Sequence, residues 1–219
     1  MSGPRATDFD QLSEPLPQRI AVALSKLGLA MKQQQWQQAA GDGLSPTQGQ
    51  ILATVLAEGA RTVSELAQRL GVTLATTSDA ARVLVDKGLL VRSPDPRNHR
   101  ASLLALTDGG RERAARARAW PEFLGAAVAE LAPHEQPVFL AGLLKMIRAL
   151  QQAGMIPPQR MCISCVYFRA HAHAGARPHH CDLVGAPMAA AHLRIDCGEH
   201  EPASDAHADV TWQRFVAPR

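Results

Sequence analysis

TVSELAQRLGVTLATTSDAARVLVDKGLLVRSPDPRNHRASLLAL, residues 62–106, is the stretch from which the architecture is read. Thr62-Val63-Ser64-Glu65 is a capping box, with a hydroxyl at the N-cap and a carboxylate three residues on. The helix it opens, Val63 to Leu70, is short. Gly71-Val72 forms a turn, because glycine enters the left-handed region without a Cβ clash. Thr73 caps a second helix, from Leu74 to about Lys87, that Gly88 ends. Leu66, Leu70, Val72 and Ala80 take the buried positions, and Ala67 is small where the helices approach. This spacing predicts a helix-turn-helix.

Two β-type runs follow, Leu89–Arg92 and Ala101–Leu106. Ser93–Arg100 between them holds two prolines and two arginines, which predicts a hairpin with a long basic tip. A helix-turn-helix followed by such a hairpin is a winged helix. The second helix, about 74–87, would enter the major groove, and the wing, 93–100, the minor groove. Thr73, Ala75, Thr76, Ser78 and Arg82 are the candidate DNA-binding residues of the helix, since small and hydroxylated side chains let it sit deep. Arg97 and Arg100 are the candidates of the wing, with Asp95 orienting Arg97 rather than touching DNA.

Outward from this stretch the pattern is helical. Leu16, Ile20, Ala23, Leu24, Leu27 and Met31 recur at helical spacing between Pro15 and Ala40. Ser45-Pro46 opens a further helix as N-cap and N1. Thr107-Asp108 caps an Ala- and Arg-rich helix reaching about Ala119, and Pro121 breaks it. Pro133 begins the last long helix, with Val138, Phe139, Leu143, Met146, Ile147 and Leu150 on one stripe.

The chain has 219 residues, 46% hydrophobic and only 4% aromatic, so the core rests on aliphatic side chains. The net charge of +3 is uneven: residues 61–119 carry +5 and the remainder −2, which suits a confined anionic partner. No uncharged apolar run approaches the roughly 20 residues that span a bilayer. Met1–Asp10 is polar, without the apolar core of a signal peptide. No membrane attachment is expected, and the expected compartment is the cytoplasm.

Leu44-Ser45-Pro46-Thr47-Gln48, the helix-turn-helix, Asp95-Pro96-Arg97-Asn98-His99-Arg100 and Leu106-Thr107 resemble the MarR family of bacterial winged-helix regulators over roughly residues 16–153. The resemblance implies a homodimer whose N-terminal helix and last two long helices interlock, the Leu16–Met31 and Val138–Leu150 stripes being its contacts. It implies double-stranded DNA as partner and transcriptional regulation as function. It also implies a small phenolic or anionic effector, for which no residue is assigned.

All four cysteines lie beyond the Pro157-Pro158 boundary, and six of the nine histidines fall among residues 171–200. Cys162-Ile163-Ser164-Cys165 is a C-x2-C, and Cys181 and Cys197 each follow after 15 residues. Reduced thiols of this number suit a metal: four satisfy tetrahedral zinc, and four also suffice for an iron–sulfur cluster. His179, His180 or His200 could replace a thiolate. Tyr167 and Phe168 could shield the site.

The expected fold class is thus mainly α with a small β-wing. A disordered tail over 1–14 precedes a winged helix-turn-helix and dimerisation domain over 15–155. A small Cys/His-rich metal-binding module follows over 156–219. The alternative function is a redox or iron sensor whose cluster controls DNA binding. An enzyme is not expected, because no nucleophile motif, phosphate loop or His-Glu metal helix is present.

Overall fold

The structure, a computed structural model, describes residues 13–217. The tail expected over 1–14 therefore lies, apart from its last two residues, outside the described residues. The winged lobe is built from α1 (Leu16–Gly41), α2 (Pro46–Glu58), β1 (Arg61–Thr62), α3 (Val63–Leu70), α4 (Leu74–Asp86), β2 (Leu90–Asp95), β3 (Asn98–Leu106) and α5 (Asp108–Ala119). A 3-10 turn over Trp120–Glu122 leads to α6 (Phe123–Ala129) and α7 (Glu135–Gln152).

The helix starts follow the capping residues. Thr62 Oγ1 accepts from the Glu65 amide at 3.2 Å, and Glu65 Oε2 accepts from the Thr62 amide at 2.7 Å. Ser45 and Gln48 make the same reciprocal pair at the start of α2. Thr107 Oγ1 accepts from the Gly110 amide at 3.0 Å. Such caps satisfy amides that no intrahelical carbonyl can reach.

The core of this lobe joins Ile51, Leu52 and Val55 of α2, Leu66 of α3, Ala81 and Leu84 of α4, Leu90, Leu104 and Leu106 of the sheet, and Trp120. Each large aliphatic side chain buried there contributes roughly 1.5–3 kcal/mol. Two glycines make the close approaches possible. A Cβ on Gly49 would lie 2.1 Å from the Trp120 ring, and one on Gly110 would lie 1.9 Å from the Leu89 carbonyl oxygen.

The wing differs from the sequence reading. The long tip expected over 93–100 is a two-residue turn, Pro96-Arg97, because β2 continues to Asp95 and β3 begins at Asn98. The sheet order is β1-β3-β2, so β2 is an edge strand. Pro94 pairs with Ser102 there, and an edge tolerates the missing proline N–H. A register shift between Pro94 and Asp95 then turns the chain. The last long helix also starts two residues later than Pro133, at Glu135.

The C-terminal module has more internal structure than a metal-folded loop. Antiparallel strands β4 (Phe168–Arg169), β5 (His179–Cys181) and β6 (Ala186–Met188) form a sheet in that order, and α8 (Asp205–Val216) follows. Met161, Ile163, Phe168, Leu193 and Phe215 form its core, and Leu144 of α7 belongs to the same cluster. The chain boundary at residue 155 is thus crossed by packing.

Candidate nucleic-acid interface and cysteine pocket

Thr73 sits at the N-cap of α4, where its hydroxyl accepts from the Thr76 amide at 3.1 Å and meets the Thr76 hydroxyl at 2.8 Å. Thr77 is fully buried and donates to the Thr73 carbonyl at 3.0 Å. The opposite face presents Thr73, Ala75, Thr76, Ser78 and Arg82, all exposed. Arg82 lies between Asp79 (3.7 Å) and Asp86 (3.8 Å), one turn to either side. The helix face is therefore polar, small at its N-terminal end and basic only at Arg82.

At the wing, Asp95 is 3% exposed and directs Arg97. Its Oδ1 accepts from the Arg97 amide (2.9 Å) and Nε (3.1 Å), and its Oδ2 accepts from Nη2 (3.2 Å). This pairing holds the Asp95 carboxyl below the usual carboxylate range and the guanidinium above its own. The Arg97 side chain remains 67% exposed and also reaches Glu65 Oε1 at 3.5 Å, tying the wing to the first turn of α3. Asn98 Oδ1 accepts from the Arg100 amide at 3.1 Å, and Arg100 is exposed. Turn geometry, rather than a long loop, brings both arginines to the wing end.

Cys162, Cys165, Cys181 and Cys197 all line one pocket of about 320 Å³. Cys162 and Cys165 flank a 3-10 turn, in which the Cys165 amide donates to the Cys162 carbonyl at 3.0 Å. Cys181 lies on the central strand β5, opposite Phe168 and Ala186. Cys197 is strapped in by its amide, which donates to the Arg160 carbonyl at 3.0 Å, while the Cys162 amide donates to the Arg194 carbonyl at 3.1 Å. Arg194 also faces sulfur: its amide lies 3.3 Å from Cys162 Sγ and its Nη1 lies 3.8 Å from Cys197 Sγ. Burial raises the Cys162 thiol above its ordinary pKa, against the Arg194 amide. Among the described residues, no three His, Cys, Asp or Glu side chains are gathered closely enough to grip a single ion.

The histidines considered as substitutes face elsewhere. His179 is buried against Phe168 and Phe215, its Nδ1 accepting from the His171 amide at 3.3 Å. Burial lowers its pKa to about 4. His180 pairs with His173 at 3.0 Å, and His200 with the Ser164 hydroxyl at 3.1 Å. Tyr167 and Phe168 do line the pocket, beside Leu183, Val184 and Met188.

One cluster was invisible in the sequence. Glu58 of α2 and Arg69 of α3 pair at 2.7 Å, and Arg69 Nη2 reaches Asp196 Oδ1 at 2.9 Å. Arg160 closes the ring, on Asp196 at 2.7 Å and Glu58 at 3.4 Å. Arg69 and Asp196 are 127 positions apart, so no local pattern could announce the cluster. Pro157, read as a boundary residue, packs over the turn glycine: a Cβ on Gly71 would lie 3.4 Å from the Pro157 Cδ.

Residues 42–101 match the model of the MarR family. Solved structures extend the likeness. The S. aureus MepR–DNA complex is 25% identical with a TM-score of 0.53, covering 60% of this chain and 97% of that one. S. aureus MepR in its DNA-binding conformation is 25% identical with a TM-score of 0.54, covering 60% and 98%. A MarR transcriptional regulator from Methanosarcina mazei Go1 shares the fold at 21% identity, with a TM-score of 0.52 and coverage of 62% and 99%. No curated protein is similar enough to be matched to the chain. The winged lobe has a MarR-like winged-helix fold. No helix among the described residues is long and apolar enough to cross a membrane.

Proposed function

We propose that the protein is a homodimeric, sequence-specific transcriptional regulator that binds double-stranded DNA through α4 and the wing. The observation that carries this reading is the Asp95–Arg97 pair: a nearly buried carboxylate holds an exposed guanidinium at the wing end, and the exposed face of α4 is small and hydroxylated. A paired carboxylate adds little repulsion toward phosphates, whereas the fixed arginine suits a narrow minor groove. The likeness to S. aureus MepR, solved as a DNA complex, supports the same assignment.

The dimer reading rests on apolar side chains that one chain leaves uncovered. Leu16, Ile20, Leu27, Leu29 and Trp36 of α1 are exposed, as are Val138, Phe139, Met146 and Leu150 of α7. A face of this kind marks an association surface. A twofold dimer would set the two α4 helices about one DNA turn apart. The four cysteines are the proposed metal ligands of the C-terminal module, with zinc or an iron–sulfur cluster as the occupants four thiolates satisfy.

The test is binding to a duplex selected by the protein from a random-sequence pool, followed by salt titration. Affinity should fall steeply with salt, and Arg82→Ala should weaken it about 10-fold, in the range of one lost contact. Binding that ignores salt and both Arg82→Ala and Arg97→Ala would sink the reading.

A further inference from the structure

We infer that the C-terminal module is a strut that joins α7 to the helix-turn-helix and so fixes the spacing at which a dimer presents its two α4 helices. Asp196, Arg160 and Pro157 are its positioning residues. The inference deepens the regulator reading and rests on it for its DNA-binding arm.

One end of the strut stands on α7. Among the described residues, α7 places none in the core of the winged lobe. Leu144 is instead fully buried in the core of the C-terminal module, with Leu140, Ala141 and Ile147 packed against the same cluster. Arg148, also buried, lies 4.9 Å from the centroid of the Trp212 ring of α8 and pairs with Asp209 at 3.2 Å. Val138, Phe139, Met146 and Leu150 of α7 stay exposed and belong to the proposed dimer contact. One helix thus serves both the partner subunit and the module.

The other end stands on the turn of the helix-turn-helix. Pro157 packs over Gly71, and its carbonyl accepts from Gln151 of α7 at 3.4 Å. Arg69, in the last turn of α3, donates to the Pro158 carbonyl at 3.3 Å and to Asp196 Oδ1 at 2.9 Å. Arg160 donates to the same Asp196 oxygen at 2.7 Å and pairs with Glu58 at 3.4 Å. Isolated surface pairs hold little, but the Glu58 side chain is only 10% exposed and each carboxylate serves both Arg69 and Arg160, so these groups act as a network. Thr73, the N-cap of α4, follows Gly71 by two residues. What holds this turn therefore holds the start of the recognition helix.

A twofold dimer reads half-sites about one DNA turn apart, and one base pair more or less moves a half-site by about 3.4 Å along the duplex and about 35° around it. A reading head braced against its own dimerisation helix resists that displacement more than a head released from the brace. The module therefore sets how strictly the protein reads operator spacing.

The test uses the full chain and a half-site taken from a duplex that the protein selects from a random pool. Duplexes carry two half-sites at the selected spacing, or with one or two base pairs added or removed, and one duplex carries a single half-site. The parent should prefer the selected spacing over a one-base-pair change by at least about 5-fold, the lower end of coupling between sites. Asp196→Ala combined with Arg160→Ala removes the module's side of the network and leaves Arg69–Glu58 intact within the winged lobe. In that protein the preference should fall below about 2-fold, while affinity for the single half-site is unchanged. Asp196→Glu alone, which keeps the carboxylate, should retain the preference. Without DNA, amide hydrogen exchange over residues 69–73 should be faster in the double variant than in the parent.

Unchanged exchange over 69–73 overturns the contact of the strut with the turn. Faster exchange with the spacing preference kept overturns its role in spacing. A parent that binds no duplex in a salt-dependent way, or binds as a monomer, overturns the regulator reading and the spacing role with it, and the exchange experiment still decides the contact.

Discussion

Asp95→Ala is the substitution whose effect should change sign with its background. In the parent chain, Asp95 makes three hydrogen bonds to Arg97, to its amide and to two guanidinium nitrogens. Removing them frees a long, exposed side chain. Immobilising such a side chain on binding costs roughly 0.5–1.5 kcal/mol, so Asp95→Ala should weaken DNA binding by about 2- to 10-fold. Arg97→Ala removes the contact itself and should cost on the order of 1–3 kcal/mol. In the Arg97→Ala background, Asp95 is an unpaired carboxylate at a phosphate-facing tip. There Asp95→Ala should leave affinity unchanged or raise it slightly. The four proteins form a double-mutant cycle with an expected coupling of about 1 kcal/mol, read by fluorescence anisotropy on one selected duplex at fixed salt. Thermal melts accompany it, since Asp95 is nearly buried and its loss should lower the melting temperature. Equal weakening by Asp95→Ala in both backgrounds would refute the reasoning, leaving Asp95 a residue of the turn rather than of the interface.

Gly110→Ala should destabilise the winged lobe by about 1–3 kcal/mol or more, because the new methyl meets the rigid Leu89 carbonyl; an unchanged denaturation midpoint would contradict the packing. Val138→Glu, at a position 72% exposed in the single chain, should shift the protein from dimer to monomer in sedimentation velocity without lowering its helix content. Acid should weaken the same lobe through Glu65 and Asp95. The Thr62 amide holds Glu65, and the Arg97 guanidinium holds Asp95, below the ordinary values of 4.5 and 3.8. A lowered folded pKa gives stability that is complete above the unfolded value and is lost as pH falls through the folded one. Glu65→Gln should therefore lower stability at neutral pH and flatten its loss below about pH 4.5; a parallel acid limb would argue against it.

Much of the winged lobe was legible because its signals are local. Thr62 with Glu65, Ser45 with Pro46, and Thr107 three residues before Gly110 each place a helix start within one turn of chain, and α3 begins and ends where the capping box and Gly71 put it. The wing was legible as a hairpin but not in length. Whether Pro94 ends a strand depends on whether that strand has a neighbour on its N–H side, which sheet order settles. Asp95 as the orienter of Arg97 was readable because the two are neighbours in the chain as well as in space.

The sequence by itself determined the helix-turn-helix, the basic hairpin after it, and four thiols beyond the Pro157-Pro158 boundary. Capping chemistry, hydrophobic period and residue type act over a few positions and need no fold to be read. Only the tertiary structure decided that the four thiols share one pocket while His179, His180 and His200 take other partners. It also decided that Leu144 of α7 belongs to the C-terminal core, and that Asp196 meets Arg69 across 127 positions of chain. Those relations depend on how separate elements pack. No local period or propensity encodes a distance between residues that only the folded chain brings together.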